Sequence, residues 1–264
     1  MNKYFSATIN TWNEMLTYRL SFVMWRVRNV FQLLTIYFLW LTIIPSQQTF
    51  FGYSQTLMLT YVLGTAFIGS IVFSTRTHEI GDNINSGNLS FFLAKPISYF
   101  GYWFAKDIGD KAMNISFSMA ELFILFILLR PPLFIQVNPV FIFFSLIAVT
   151  LAVLLYFLIG AILGMIGFWS PEVWAPRFIF FILLQFFAGS LFPLDIFPKQ
   201  IFMFFQLLPF PYLLYIPLKI YLGQIVLSEI FYGFSITLFW IIFLFFTMKV
   251  VWQKGLKLYT AYGN

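Results

Sequence analysis

The sequence predicts an all-α integral membrane protein with six membrane-spanning helices, two amphipathic helices at the membrane surface and a pair of external re-entrant helices. Hydrophobic residues make up 61% of the 264-residue chain and charged residues only 9%, whereas a soluble domain carries roughly 25% charged residues. The apolar stretches are long enough to cross a bilayer, which needs roughly 20 residues. They are separated by short polar or proline-containing segments, and the basic residues lie mainly on one side.

Residues 4–20 form the first predicted element, an amphipathic helix that lies in the membrane plane. Its apolar residues Phe5, Ile9, Trp12 and Leu16 recur at helical spacing, and polar residues occupy most of the remaining surface. This pattern is typical of an interfacial helix. The alternative is that the stretch is simply the polar start of the first span.

Six membrane spans are predicted from the apolar stretches. Arg26 and Arg28 lie close enough to the start of the first span for their side chains to reach the interface. The fourth span carries Gly160, Gly164 and Gly167, a ridge of small residues that is suited to close packing. The predicted spans are residues 21–44, 56–74, 112–129, 140–168, 178–192 and 225–248.

A charged and turn-prone loop, residues 75–111, joins the second and third spans. Within it, residues 79–96 place apolar side chains between polar ones, and Pro96 would stop any helix. This stretch is predicted to be a short amphipathic helix that lies across the mouth of the helical bundle. We expect a soluble partner to dock on it.

Residues 193–222 follow the fifth span and contain five of the chain's 12 prolines. Prolines break the hydrogen bonding that a helix needs in lipid, and a lysine at the centre of a span costs about 2.5–3.5 kcal/mol. The stretch is therefore predicted to form two short helices that dip into the outer leaflet and return. The residues expected to shape this external gate are Pro193, Asp195, Pro198, Pro209 and Pro211.

The distribution of basic residues predicts the orientation of the chain. With six spans, twelve of the 15 lysines and arginines lie on the side of both termini, and only Arg130, Lys199 and Lys219 lie on the other. Positive residues are concentrated on the cytoplasmic side of membrane proteins. Both termini and the 75–111 loop are therefore predicted to be cytoplasmic. Scattered basic residues do not form the single basic face of a nucleic-acid-binding protein.

The sequence offers no recognisable catalytic, metal or nucleotide site. It has no cysteine, one histidine and no phosphate-binding Gly-x-x-x-x-Gly-Lys-Ser/Thr motif. Asn114, Ser118 and Glu121 share one face of the third span, with Glu121 about 15 Å from Lys111. This face should meet protein or water rather than lipid. We expect Glu121 to be a structural hydrogen-bonding residue at a helix contact, the alternative being a substrate or proton site.

Three stretches of the chain carry a resemblance to a known family. The stretch EIGDNINSGNLSFFLAKPIS at 79–98 is similar to the coupling segment of ABC-2 type permeases. Gly87 is matched to the family glycine because Asn88 and Leu89 follow it, and Gly81 is the alternative match. The stretch FAGSLFPLDIFPKQIFMFFQLLPFPY at 187–212 resembles their external re-entrant segment, and VWQKGLKLYTAYGN at 251–264 resembles their C-terminal ending. With the predicted order of elements, the whole chain resembles the permease subunit of an ABC-2 type exporter.

The resemblance implies a function and a set of partners. Such permeases pair with a second permease, the same or a sibling, on two copies of a separate ABC ATPase that holds the ATP and Mg²⁺, so no cofactor is expected on this chain. The permease would lie in the bacterial inner membrane and move an amphipathic or lipid-linked cargo, such as a drug, lipid, peptide or glycan, out of the cytoplasm. The alternatives are a channel or scaffold and an intramembrane lipid-modifying enzyme. The residues implied to couple to the ATPase are Glu79, Ile80, Gly87, Leu89, Phe92, Leu93 and Pro96.

Overall fold

The computed structural model describes residues 3–17, 19–45 and 48–259, which fold almost entirely as α-helices. A short hairpin, β1 (Thr49–Phe50) and β2 (Tyr53–Ser54), pairs antiparallel between the second and third helices. The helices are, in chain order, α1 Lys3–Thr17, α2 Arg19–Ile43, α3 Gln55–Val72, α4 His78–Asn85, α5 Leu89–Leu93, α6 Tyr99–Leu129, α7 Pro139–Gly164, α8 Trp174–Phe187, α9 Lys199–Gln206, α10 Tyr215–Tyr221 and α11 Leu227–Leu258, and 3-10 turns occupy Met165–Phe168, Leu194–Ile196 and Phe210–Leu213.

In the part of the chain that the structure describes, four helices are long and apolar enough to cross a membrane: α3, α6, α7 with its 3-10 extension, and α11. Each of the six predicted spans overlaps one helix, α2, α3, α6, α7, α8 or α11. Outside the group of four, α2 has 25 residues and includes Arg26 and Arg28, whereas α8 has only 14 residues. The chain is a multi-pass helical membrane protein, and its count of six spans stays a prediction.

The helix α1 corresponds to the predicted in-plane helix at 4–20 and ends at Thr17. It packs against the N-terminal half of α6 through its buried residues, which include Ala7 and Thr11. The predicted apolar face points elsewhere, because Phe5 and Ile9 remain exposed. An interfacial helix needs such an uncovered apolar face for contact with lipid. The packing of α1 against α6 therefore leaves the predicted lipid-facing side chains exposed.

The third span begins earlier than predicted, because α6 starts at Tyr99 rather than near residue 112. The Ser98 hydroxyl accepts a hydrogen bond from the backbone N–H of Gly101 and caps this N-terminus. At 31 residues, α6 is about 47 Å long and exceeds the roughly 30 Å hydrocarbon core. Residues 99–111 are thus a helical extension, and their assignment to a loop was wrong because their charges are paired with neighbouring elements.

The predicted single helix at 79–96 is two helices, α4 and α5. Gly87 separates them with a φ of 77°, a left-handed conformation that glycine adopts without the steric cost of a side chain. The second helix ends at Leu93, before Pro96. We call α4, the Gly87 turn and α5, residues 78–93, the coupling segment. Ile84 before the turn and Leu89 after it are both buried in the same hydrophobic cluster, so the two helices pack on the bundle from either side of Gly87.

Residues 193–222 form short helices and turns, α9, α10 and two 3-10 turns. Their depth in the bilayer stays a prediction. Every residue of the stretch 211–220 is buried, and α10 packs against α7. Leu213, Leu214 and Ile220 have no exposed surface and belong to the largest hydrophobic core of the described residues. This burial explains how a proline-rich stretch is stable, since protein rather than lipid surrounds its interrupted backbone.

Candidate functional site

The first helix of the coupling segment rests on the glycine ridge of α7. A Cβ atom at Gly160 would lie 2.3 Å from Thr77 Oγ1, and one at Gly164 would lie 2.7 Å from the Thr77 carbonyl oxygen and 2.9 Å from Ile80 Cβ. Ile80 is completely buried in this contact. The proposed ATPase contact through Ile80 is therefore corrected, because its side chain fixes α4 to the permease itself.

We expect Gly164→Ala to push α4 away from α7, since the new methyl group would meet a backbone carbonyl that cannot turn aside. Overpacking of this kind typically costs about 1–3 kcal/mol of stability. This loss of stability should be measured as a lower free energy of unfolding of the purified chain. Gly233→Ala is the matched control, because a Cβ there would lie 3.5 Å from the nearest atom, an ordinary contact. Equal stability of the two variants would contradict a tight fit between α4 and α7.

A network of ion pairs holds the start of α4 against α1 and α6. Glu79 bonds Arg76 at 3.0 Å and Lys106 at 2.7 Å, and Arg76 also bonds Asp110 at 3.0 Å. Glu14 of α1 lies 3.4 Å from Lys106. Burial alone would raise the pKa of Glu79, but the hydrogen bond and charge of Lys106 bring it below its usual value. Glu79 is therefore a structural anchor of the coupling segment rather than a free surface carboxylate.

The Gly87 turn is fastened to the end of α11. The Tyr259 hydroxyl donates a hydrogen bond of 2.7 Å to the carbonyl oxygen of Gly87. Close by, Trp252 of α11 stacks on Tyr99 of α6 with ring centroids 4.9 Å apart. The turn, α6 and α11 thus form one packed unit. This contact could not be predicted from local sequence patterns, because Tyr259 lies 172 residues after Gly87.

The second helix of the coupling segment has a buried and an exposed face. Leu89 is completely buried and Phe92 is half-buried, with its ring centroid 5.6 Å from that of Tyr99. These two residues were expected to contact a partner, and that expectation is corrected for Leu89. Leu93 is 49% exposed and Phe91, which sequence reasoning missed, is 67% exposed. Phe91 and Leu93 form the exposed apolar surface of the segment, with Pro96 also exposed beyond it.

The predicted intramembrane residues Asn114, Ser118 and Glu121 meet around one arginine. Arg26 of α2 donates two hydrogen bonds to the Glu121 carboxylate, the first at 2.6 Å, and further bonds to Ser118 at 2.9 Å and Asn114 at 3.3 Å. The Ser118 hydroxyl in turn donates to Ser70 of α3 at 2.6 Å. Arg26 was expected to reach the interface, but only 5% of it is exposed. A buried charge requires a partner, and Glu121 supplies it.

A cavity of about 300 Å³ lies beside the Arg26–Glu121 pair, between α2, α3, α6, α7 and α8. Two buried polar atoms of residues that line it, Gln185 Oε1 and Ser190 Oγ, have no hydrogen-bond partner among the described residues. The polar and charged residues of its lining are Arg26, Arg28, Asn29, Gln32, Thr65, Ser70, Ser74, Ser118, Glu121, Tyr156, Gln185 and Ser190.

The predicted external gate contains a second buried ion pair. Lys219 of α10 bonds Asp195 at 2.8 Å, the Tyr53 hydroxyl at 3.0 Å and Gln224 at 2.7 Å. Lys219 is only 7% exposed. The pair ties the re-entrant stretch to the hairpin before α3. Of the gate prolines, Pro193, Pro209 and Pro211 are buried and Pro198 is exposed at the start of α9.

The charged side chains described above join separate elements of the chain through ion pairs. Among the described residues, no group of three histidine, cysteine, aspartate or glutamate side chains could hold a metal ion. Beside the exposed Phe91 and Leu93, the ring of Phe92 packs against Tyr99 of the long helix α6.

Comparison with known proteins identifies the family. Residues 30–263 match the family described as ABC-2 family transporter protein. No curated protein and no solved structure matches the chain. The resemblance of the sequence to ABC-2 permeases is therefore confirmed over most of its length. The chain belongs to the ABC-2 transporter family, whose members are membrane subunits of ABC transporters.

Proposed function

We propose that the chain is the permease subunit of an ABC exporter that moves an amphipathic or lipid-linked cargo out of the bacterial cytoplasm. Two copies of a separate ATPase, which bind the ATP and Mg²⁺, supply the energy. One observation carries this proposal: Phe91 and Leu93 are exposed, whereas the other large apolar side chains of the coupling segment are buried or half-buried. An apolar surface on a rigid support is suited to a protein partner.

The coupling segment would transmit movement to the spans, because each of its parts contacts a different helix. At its start, Ile80 contacts the α7 glycine ridge and Glu79 bonds Lys106 of α6. At its middle, Gly87 bonds Tyr259 at the end of α11. A partner that moved Phe91 and Leu93 would therefore displace α6, α7 and α11 together. Nucleotide-driven closure of the ATPases would in this way tilt the spans.

A second permease, the same or a sibling, would complete the transporter. In α8, Trp174 is 69% exposed and Ile179 is 59% exposed, and in α2, Phe31 is 67% exposed. Lipid or the second permease would cover these surfaces. The cargo would pass between the two subunits, with the re-entrant helices closing the external end.

Co-purification with an ATPase tests the proposal. The tagged chain, extracted in mild detergent from cells of its source, should bring down an ABC ATPase, and the reconstituted complex should hydrolyse ATP. A chain that conducted ions without ATP, or modified lipids by itself, would instead support the channel or the enzyme alternative. Purification of the folded chain without any ATPase would contradict the proposal.

The predicted orientation can be tested by labelling single cysteines, because the chain contains none of its own. Positions 88, 172 and 257 are exposed and should react only from the cytoplasm. Positions 51, 137 and 199 are also exposed and should react only from outside. The measurement is labelling of intact cells by an impermeant maleimide before and after lysis. External labelling at position 257 would contradict six spans with both termini inside.

A further inference from the structure

The cavity beside α2 has an unbalanced charge. Among the described residues that line it, only Arg26, Arg28 and Glu121 carry a formal charge. Arg26 and Glu121 neutralise one another through their ion pair. Arg28 is exposed and forms no hydrogen bond or ion pair with any residue that the structure describes. The cavity is therefore left with one uncompensated positive charge, which attracts an anion.

Unused hydrogen-bonding groups lie in the same cavity. Gln185 Oε1 and Ser190 Oγ are buried without a partner among the described residues, although both residues line the cavity. A buried polar atom without a partner is costly, so such atoms often mark a place for a ligand or water. The Ser190 hydroxyl can donate a hydrogen bond, and the Gln185 amide can turn to present its NH₂ group. Both can therefore serve an anionic ligand.

The cavity also has an apolar part. Leu33, Ile36 and Val62 lie among the polar lining residues, and Trp25 and Phe181 are partly exposed at the outer surfaces of α2 and α8. The volume of about 300 Å³ lies at the lower end of ligand cavities. It would hold a small head group, while an attached apolar chain would extend between α2 and α8.

We propose that this cavity binds the anionic head group of an amphiphile, such as a phosphate on an acyl or prenyl chain, with Arg28 as its counter-ion. The inference rests on the proposed function and narrows its cargo class to anionic amphiphiles. Arg28, Asn29 and Gln32 of α2 would contact the head group from one side, and Gln185 and Ser190 from the other. The chain of the amphiphile would lie along Trp25.

Quenching of Trp25 fluorescence by brominated lipids measures this binding. The full-length chain is placed in nanodiscs of phosphatidylcholine that contain the same fraction of either brominated phosphatidylglycerol or brominated phosphatidylcholine. The signal of Trp25 is the part that Trp25→Phe removes. We expect the anionic lipid to be preferred by about tenfold, as one charge-assisted hydrogen bond predicts. Equal quenching by the two lipids would overturn the proposal.

Charge variants assign the preference to Arg28. Arg28→Gln should abolish the preference and Arg28→Lys should retain most of it, while both should elute as single species because the side chain is exposed. Arg130→Gln is the matched control, since Arg130 is an exposed arginine outside the cavity. The proposal fails if Arg28→Gln keeps the preference or if Arg130→Gln loses it equally.

A second arm separates the two sources of an anionic head group. Glycerol phosphate added from water should not displace the lipid, because it lacks an apolar chain. Displacement by glycerol phosphate would show that the cavity binds a free anion, and it would overturn the proposal that the ligand is an amphiphile. The quenching measurement uses neither ATP nor an ATPase. A negative result would therefore contradict only the proposed lipid site, whereas the proposed permease function is tested separately by co-purification of the ATPase.

Discussion

Replacing Phe91 and Leu93 together by aspartate is expected to abolish association with the ATPase while the permease remains folded. Both side chains are largely exposed in the free chain, so the substitutions disturb little internal packing. Covering an apolar side chain of this size contributes about 1.5–3 kcal/mol. Loss of two such contacts weakens binding by a factor of about 100 or more. The amount of ATPase that co-purifies with the tagged permease gives the result.

Two variants serve as controls for this experiment. Phe51→Asp introduces the same charge on a residue that is 64% exposed at the predicted external end, and it should keep the ATPase. Leu89→Asp places the charge at a fully buried position and should instead reduce folding of the permease. If the Phe91 and Leu93 double variant retained full ATPase association and transport, the coupling segment would be an ordinary connector.

Glu121→Leu is expected to destabilise the permease by about 3–5 kcal/mol, because it leaves the guanidinium of Arg26 buried without its counter-charge. The hydrogen bonds from Arg26 to Ser118 and Asn114 remain, but they supply no negative charge. The measurement is unfolding of the purified chain by increasing fractions of sodium dodecyl sulfate in mixed micelles. Ser116→Leu, a polar-to-apolar change on the exposed face of α6, should leave stability nearly unchanged.

The double variant Arg26→Met with Glu121→Leu tests whether the pair acts as a unit. Replacing both members of a buried ion pair by apolar side chains is often neutral for stability. We therefore expect the double variant to be more stable than Glu121→Leu alone. Additive losses from the two substitutions would show that Arg26 and Glu121 contribute independently. Retained transport by the stable double variant would exclude a chemical role for the Glu121 carboxylate.

The sequence was most informative where the physical signal extends over many residues. Composition and the length of apolar stretches predict a helical membrane protein, and each predicted span overlaps a helix. The exposed face of α5 could not be predicted in the same way. Its run of five residues, LSFFL, has apolar side chains on all sides, and a helix of little more than one turn has no measurable periodicity. Tertiary packing decides that Leu89 is buried, in a cluster with residues of α6, α7 and α11, and that Phe91 is exposed.

The Arg26–Glu121 pair could be predicted from the sequence only in part. Arg26 is about 10 Å along α2 from Arg19, and Glu121 is about 15 Å along α6 from Lys111, so both charges are at similar depth. Their pairing could have been predicted, since two opposite charges inside a membrane protein usually pair. The bonds to Ser118 and Asn114 could not, because they depend on how α2 and α6 are rotated. The ion pairs of Glu79 could not be predicted either, because they require α6 to begin at Tyr99. The charged residues at the start of α6 are typical of a loop in a membrane protein, so the sequence did not indicate a helix there.

The hydrogen bond between Tyr259 and Gly87 has a consequence for biosynthesis. The coupling segment leaves the ribosome long before α11, because 172 residues separate the two partners of this bond. Until Trp252 and Tyr259 have been translated, Tyr99 and the Gly87 turn lack the aromatic neighbours that cover them. A nascent chain therefore presents its coupling segment only partly packed. Completion of α11 is therefore the step that supplies these contacts and completes the packing of the coupling segment.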